Sequence, residues 1–237
     1  TTLKEITAAL PYLRLPPFQI PQNILQNTPL KMLKAVLAVG EPTLTPMATV
    51  AGAVAEATAD WLFEQGASRV FTNNGGDIAL RLAPGEKVRL GIVSDINTGD
   101  IDTVVTITAE SGIRGVATSG LGGRSFTRGI ANALTVFSHS CLLADALATH
   151  LANNTYIPSR QVITAKAGTI DPQSDIADLD VVVSVGRLSE KEINSSVNNL
   201  IKEAEKQYNK QLFFGMRSYI QNHEVCYPPN YLQKMKE

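Results

Sequence analysis

Between residues 69 and 109 the chain has several short β-type segments in succession, with no room for a helix between them. They lie at 69–73, 77–82, 87–93 and 101–109. The clusters Asn73-Asn74-Gly75-Gly76 and Ala83-Pro84-Gly85 separate the first three, and Asn, Gly and Pro are typical of tight turns. Parallel neighbours need a crossover connection of a dozen residues or more. The sequence therefore predicts a sheet that is mixed or antiparallel.

Helical patterns on both sides of this block predict helices that cover the sheet. In the clearest of them the spacings are three and four, which places the residues on one helical face: Met47, Val50, Val54, Ala57 and Trp61. Further helices are predicted at 28–40, 140–153 and 189–207, and further strands at 134–138, 161–166 and 180–186. A chain of 237 residues buries a sizeable core. The predicted fold is α+β, or mixed α/β: one domain with a layered sheet and helices packed on it.

Proline spacing and composition suggest the outline of that domain. Five prolines between residues 11 and 29 predict an extended or irregular segment, because proline fixes φ and removes a hydrogen-bond donor. We expect residues 1–34 to be a lead-in packed on the domain, 35–210 to be the α/β domain, and 211–237 to be a C-terminal extension. An alanine-rich helix at 46–65 and extended segments at both ends suggest a homodimer.

Charge and cysteine usage narrow the class of protein. The formal net charge is −1, and no basic stripe of the kind that binds nucleic acid is visible. Cys141 and Cys226 are spaced for neither a zinc site nor a disulfide framework. No stretch reaches the ~20 apolar residues that span a bilayer, and no signal peptide is visible. We therefore expect a cytoplasmic protein that binds neither membranes nor nucleic acid.

Two glycine-rich segments are candidate binding sites for an anion. In Asn74-Gly75-Gly76-Asp77 the missing Cβ atoms let a ligand approach the backbone, although a plain hairpin turn would have the same composition. The segment 115–129 includes Thr118-Ser119-Gly120 and Arg124. Its glycines allow successive N–H groups to converge on a phosphate or carboxylate. A surface loop without a ligand is the alternative for this segment.

A third segment, at 141–150, offers hard oxygen ligands. Asp145 and Thr149 are four residues apart and share one face of the predicted helix. Mg²⁺ prefers such ligands and completes its coordination with water and substrate phosphate. The alternative is an aspartate on the solvated side of an amphipathic helix.

In order and spacing, these segments resemble the ApbE-like superfamily of Mg²⁺-dependent FAD:protein FMN transferases. The resemblance rests on Asn74-Gly75-Gly76-Asp77-Ile78, Ala117-Thr118-Ser119-Gly120 and Ala144-Asp145-Ala146-Leu147-Ala148-Thr149. It covers roughly residues 35–165. The segments at 46–53 and 122–126 are most similar to a short branch of that superfamily, uncharacterised protein family 0280.

The resemblance implies a site and a class of reaction. Asp145 and Thr149 correspond to the residues that bind Mg²⁺, and Asn74 to Asp77 and Thr118 to Gly120 correspond to those that line the flavin-nucleotide cleft. It implies Mg²⁺ and FAD or FMN as cofactors, and FMN transfer from FAD as an activity. Arg124 would stabilise developing negative charge. The resemblance identifies no nucleophile or general base.

Departures from the transferase pattern keep other functions open. The His-Ile-Ile-Asp-Pro segment of the transferases is absent from residues 122–133, and their flavin-holding N-terminal part is not recognisable in residues 1–34. The cleft could therefore belong to an enzyme that acts on another small anionic molecule. It could also belong to a protein that binds a flavin or metabolite without turning it over. A purely structural protein is the third alternative.

Overall fold

The structure is a computed structural model that describes residues 1–21, 23–94, 99 and 101–235. The helices are α1 (Thr2–Leu13), α2 (Asn27–Val39), α3 (Val50–Glu64), α4 (Cys141–Asn153), α5 (Ala167–Ile170) and α6 (Glu190–Asn209). The strands are β1 (Arg69–Asn74), β2 (Asp77–Leu82), β3 (Lys87–Val93), β4 (Ile101–Thr108), β5 (Gly115–Ser119), β6 (Ala133–Ser138), β7 (Val162–Lys166), β8 (Asp180–Val185), β9 (Gly215–Ile220) and β10 (His223–Tyr227).

Six strands form the main sheet, in the order β1-β2-β5-β6-β9-β10, and every neighbouring pair is antiparallel. Two further hairpins, β3–β4 and β7–β8, are antiparallel as well. The predicted mixed α/β fold is thus confirmed. Tight turns join β1 to β2 and β9 to β10, and strands joined in this way pair antiparallel.

The two faces of the main sheet bury different cores. One face packs against the helices in a large cluster that includes Leu33, Leu134 and Leu147. The other face packs against the β3–β4 hairpin in a smaller cluster that includes Leu80, Val105 and Phe137. Alternation along each strand therefore decides which layer a side chain enters.

Local signals for helix ends agree with the structure. Gly40 follows α2 with a φ of 83°, a left-handed conformation that glycine adopts at little cost. Ser140 is the N-cap of α4. The predicted capping box at the start of α6 is confirmed, since Ser189 accepts from the backbone of Glu192 and the Glu192 side chain accepts in return.

Both ends of the chain are more ordered than the sequence analysis predicted. The prediction of an irregular segment from residue 11 was wrong at its start, because Pro11 lies inside α1. Ile6, Ala9 and Leu13 of that helix enter the large core. At the other end, residues expected to form a C-terminal extension supply β9 and β10 of the main sheet. None of the described helices has the length and apolarity needed to cross a membrane.

Candidate functional site

A cleft of about 450 Å³ opens where the start of α3, the middle of α4 and the start of β2 meet. The loop from Asp171 to Leu179, between α5 and β8, forms one wall. That wall is tied to the opposite side, where the Thr45 hydroxyl donates a hydrogen bond to Asp175. The charged lining residues are Arg14, Glu41, Asp77, Arg124, Arg128, Asp145, Asp171 and Asp175.

Asp145 enters the cleft from α4, a helix that is buried along most of its length. Its Oδ2 accepts a hydrogen bond of 2.9 Å from the Gly52 N–H. Gly52 lies in the first turn of α3, where N–H groups have no partner within the helix. Burial is the main cause that raises the pKa of Asp145 well above its usual value, and the charge of Asp77 raises it further.

Asp77 is the first residue of β2 and reaches the same cleft. The Gly75-Gly76 turn before it has a φ of 72° and 113°, values that favour glycine. Burial raises the pKa of Asp77 to about 7. A half-buried carboxylate and a buried one therefore face one cleft, and the charge of Asp77 favours the protonated form of Asp145.

A divalent cation fits this pair of carboxylates. The raised pKa values mean that the ionised forms of these carboxylates are unfavourable, and a bound cation would neutralise their charge. Thr149 lines the same cleft, and its hydroxyl would add a neutral oxygen. Within the described residues no cluster of three or more His, Cys, Asp or Glu side chains is arranged to hold a metal ion. This donor set suits Mg²⁺, which takes one or two carboxylates and fills the rest of its shell with water and phosphate.

Arginines line the remainder of the cleft. The Arg124 guanidinium lies over the Gly75 turn, with Nη1 3.5 Å from the point that a Cβ on Gly75 would occupy. Arg128 donates from Nη1 to the Thr43 hydroxyl at 2.9 Å. In the part of the chain that the structure describes, neither these two arginines nor Arg14 forms an ion pair with a carboxylate. Their charges are available to a phosphate or carboxylate ligand.

Four of the residues proposed from the sequence thus line one cleft: Asp77, Arg124, Asp145 and Thr149. The others have different surroundings. Asn74 donates from Nδ2 to the Ala51 carbonyl at 3.2 Å, which ties the turn to α3. Gly120 lines a separate cavity of about 540 Å³ beside β8.

Thr118 lies on the other side of the main sheet from α4. Its neighbour Ala117 belongs to the large core and Val116 to the smaller one, so alternation directs Thr118 away from the helices. The Thr118 and Thr135 hydroxyls are 2.8 Å apart. By the same alternation Ser119 lies on the side of α4.

The sequence analysis did not select several residues of the cleft. Arg14, Glu41 and the loop 171–179 are distant in sequence from the glycine segments and from α4. Glu56, which lies outside the cleft lining, was not selected either; its carboxylate contacts the N-terminus of α4. The three aspartates within residues 171–179 were a signal of charge in this loop that the sequence analysis passed over.

Comparison of this chain with known proteins finds similar sequences and structures. Among solved structures, the flavin transferase ApbE from Vibrio cholerae is 17% identical, with a TM-score of 0.32, over 56% of this chain and 48% of that one. A UPF0280 protein of Methanospirillum hungatei is 39% identical over 109 residues, which are 46% of this chain and 44% of the relative. One from Methanosarcina barkeri is 35% identical over 152 residues, 63% of this chain and 57% of the relative. The chain spans about half the length of the curated relatives it matches.

These UPF0280 relatives confirm the resemblance to uncharacterised protein family 0280. The family model described as AbpE bacteria matches residues 1–225, nearly the whole chain. The protein therefore belongs to the AbpE bacteria family.

Proposed function

We propose that the cleft binds a divalent cation, Mg²⁺ in the first instance, together with a small phosphate-bearing ligand, and that the chain is an enzyme acting on that ligand. The observation that carries this proposal is the meeting of opposite charges in one cleft. The carboxylates of Asp77, half-buried, and Asp145, buried, both have a raised pKa. Arg14, Arg124 and Arg128 have no carboxylate ion pair among the described residues. A cation bound to a phosphate anion would satisfy both kinds of group, because the carboxylates would bind the cation and the arginines would bind the phosphate.

Asp145 and Asp77 would hold the cation, with Thr149 as a neutral ligand. A bound Mg²⁺ supplies charge neutralisation and Lewis acidity at a phosphate oxygen. The Gly52 N–H keeps one oxygen of Asp145 oriented along α3. Arg124 and Arg128 would bind phosphate oxygens and orient the ligand, and the wall at 171–179 would exclude water from it.

FMN transfer from FAD is the reaction to test first, because the flavin transferases share the three motifs of this chain. In that reaction an acceptor hydroxyl oxygen forms a bond to the phosphorus of the FMN half. The bond from this phosphorus to the bridging oxygen breaks, AMP leaves with that oxygen, and the hydroxyl proton passes to water. Arg124 lies where it could stabilise negative charge on the phosphate as the bond breaks.

A binding protein without turnover is the second candidate function. The lining of the cleft, as far as the structure describes it, contains no histidine, lysine or cysteine. Those side chains often serve as bases or nucleophiles. The lining offers Asp, Glu, Ser and Thr side chains for these roles instead. If Asp77 and Asp145 serve only to hold the cation, the protein would keep its ligand unchanged.

Release of AMP separates these two functions. The purified protein would be incubated with FAD, Mg²⁺ and a mixture of serine- and threonine-containing peptides as hydroxyl acceptors. The products would be separated by chromatography, with Asp145→Asn as the matched variant. AMP formed by the parent protein and not by the variant would support the enzyme. Flavin retained unchanged by the protein would favour the binding function. If FAD is neither bound nor cleaved, the ligand is another small anion.

A further inference from the structure

Glu56 joins the two elements that bring Asp77 and Asp145 into the cleft. It lies on α3, one turn after Gly52, with a half-buried side chain. Its Oε2 accepts from the Ser140 hydroxyl at 2.9 Å, from the Cys141 N–H at 2.6 Å and from the Leu142 N–H at 3.4 Å. These N–H groups belong to the first turn of α4 and have no partner within that helix.

The other oxygen of the same carboxylate faces β2. Glu56 Oε1 lies 3.9 Å from Nη2 of Arg81, which also donates from Nε to Asp60 at 2.6 Å. Arg81 is four residues after Asp77 on β2, and Asp145 is four residues after Cys141 on α4. Glu56 therefore contacts α4 one helical turn from Asp145, and it contacts β2 four residues along the strand from Asp77.

We infer that Glu56 is a positioning residue for the cleft: it sets the placement of Asp145 relative to Asp77 by holding α4 and β2 to one side chain. This inference rests on the proposed cation site. Residues that orient metal ligands typically change metal affinity about 10- to 100-fold when they are replaced. Glu56 itself does not line the cleft described above.

The test uses Mn²⁺ alone as a probe, with free Mn²⁺ followed by electron paramagnetic resonance. Glu56→Asp keeps the negative charge but shortens the side chain by one methylene, so it moves the carboxylate without removing it. We expect it to weaken Mn²⁺ binding about tenfold. Glu64→Gln, on the exposed end of the same helix, is the control and should stay within about twofold of the parent.

A double-mutant cycle separates positioning from a general loss of structure. Asp77→Asn is introduced into the parent and into Glu56→Asp. If Glu56 places Asp77 and Asp145 for a shared cation, the substitution costs much less affinity in the variant than in the parent. Equal losses in both backgrounds would overturn the inference.

Further variants also test the inference that Glu56 is a positioning residue. Parent-like Mn²⁺ affinity in Glu56→Asp with weakened binding in Glu56→Gln would show a charge effect alone and overturn positioning. If Glu56→Asp does not fold, Arg81→Lys, which loses the Nε contact to Asp60 but keeps the charge, should weaken Mn²⁺ binding about threefold or more. An unchanged affinity there would overturn the inference. Absence of Mn²⁺ binding by the parent would instead contradict the proposed function itself.

Discussion

Asp145 on α4 accepts a hydrogen bond from the Gly52 N–H in the first turn of α3, at 2.9 Å. One turn further along α3, Glu56 accepts from the first turn of α4. Each helix thus supplies a carboxylate to the N-terminal end of the other, where the helix dipole favours negative charge. The arrangement fixes α3 against α4 and leaves Asp145 facing the cleft.

The two aspartates of the cleft predict a pH dependence of stability. The pKa of Asp77 rises from 3.8 to about 7 on folding, and that of Asp145 rises as well. Between pH 3.8 and about 7 the folded state therefore binds more protons at these groups than the unfolded state does. These two groups therefore lower the free energy of unfolding as pH rises from about 4 to 7, by at most about 1.4 kcal/mol per pH unit for each proton. Urea denaturation in metal-free buffer across this range measures it.

Asp77→Asn provides the control for that prediction, because it removes one titrating group. The difference in unfolding free energy between parent and variant should change with pH in the 4–7 window. It should become pH-independent in saturating Mg²⁺, which lowers the pKa of both carboxylates. If the unfolding free energies of the two proteins change with pH in the same way in the absence of metal, that result would contradict the assignment of a raised pKa to Asp77.

Gly52→Ala tests the close approach of α3 and α4. A Cβ at this position would lie 2.6 Å from the Cys141 carbonyl oxygen and 3.0 Å from the Asp145 Cβ. Backbone atoms cannot rotate away, so overpacking outweighs the gain of about 1 kcal/mol in helix propensity. We expect a loss of roughly 1–2 kcal/mol in urea denaturation. Thr58→Ala, on the exposed face of α3, should change stability by less than about 0.5 kcal/mol. Equal stability of Gly52→Ala and the parent would show that the helices can separate freely.

Arg124→Gln tests the anion-binding part of the cleft. Because Arg124 forms no carboxylate ion pair among the described residues, its removal should alter stability by less than about 0.5 kcal/mol. Affinity for pyrophosphate, measured by calorimetry with Mg²⁺ present, should fall about tenfold through the loss of charge-assisted hydrogen bonds. Arg187→Gln, an exposed site outside the cleft lining, is the matched control. A comparable fall in both variants would indicate only a long-range effect of net charge.

Glu203 connects α6 to α4 away from the cleft. It accepts from His150 at 2.8 Å and from Gln207 at 2.6 Å. Burial alone would raise the pKa of Glu203, but hydrogen bonds from His150, Gln207 and Lys206 outweigh it and lower the pKa to about 2. Its stabilising contribution is therefore complete above pH 4.5 and is lost as pH falls through 2.

Glu203→Gln should accordingly destabilise the protein by about 1–3 kcal/mol at pH 7 in urea denaturation. The exposed partner provides a comparison, since Lys206→Gln breaks only a surface ion pair worth less than about 1 kcal/mol. If the two variants lose the same stability, the bond between Glu203 and His150 contributes little to the packing of α4 on α6.

The sequence predicted a mixed or antiparallel sheet from local signals, and the structure has the antiparallel form. Glycine and asparagine clusters leave no room for crossovers between β1 and β2, and helix caps such as Ser140 and Ser189 mark where helices begin. Pro11 misled the prediction because a proline near the end of α1 removes few hydrogen bonds, and burial of Ile6 and Leu13 compensates for that loss. The strands β9 and β10 lacked a clear pattern, since partners distant in sequence determine their burial.

The cleft was predictable in part. Asp145 and Thr149 follow from helical spacing, and Asp77 from its place after a glycine turn. The mutual contacts of Gly52, Glu56 and Asp145 could not be derived, because they depend on the distance between two helices that are about 90 residues apart in the chain. Thr118 shows the opposite difficulty. Its motif groups it with Ser119 as a residue of the cleft, but strand alternation directs its side chain to the opposite side of the sheet.

The most direct test of the central claim is calorimetric titration of the purified protein with FAD, with and without Mg²⁺, after its absorbance has been checked for bound flavin. We predict Mg²⁺-dependent binding that is lost in Asp145→Ala and kept in Glu64→Gln. Binding of equal strength without Mg²⁺, or in Asp145→Ala, would contradict a cation-dependent cleft built on Asp145.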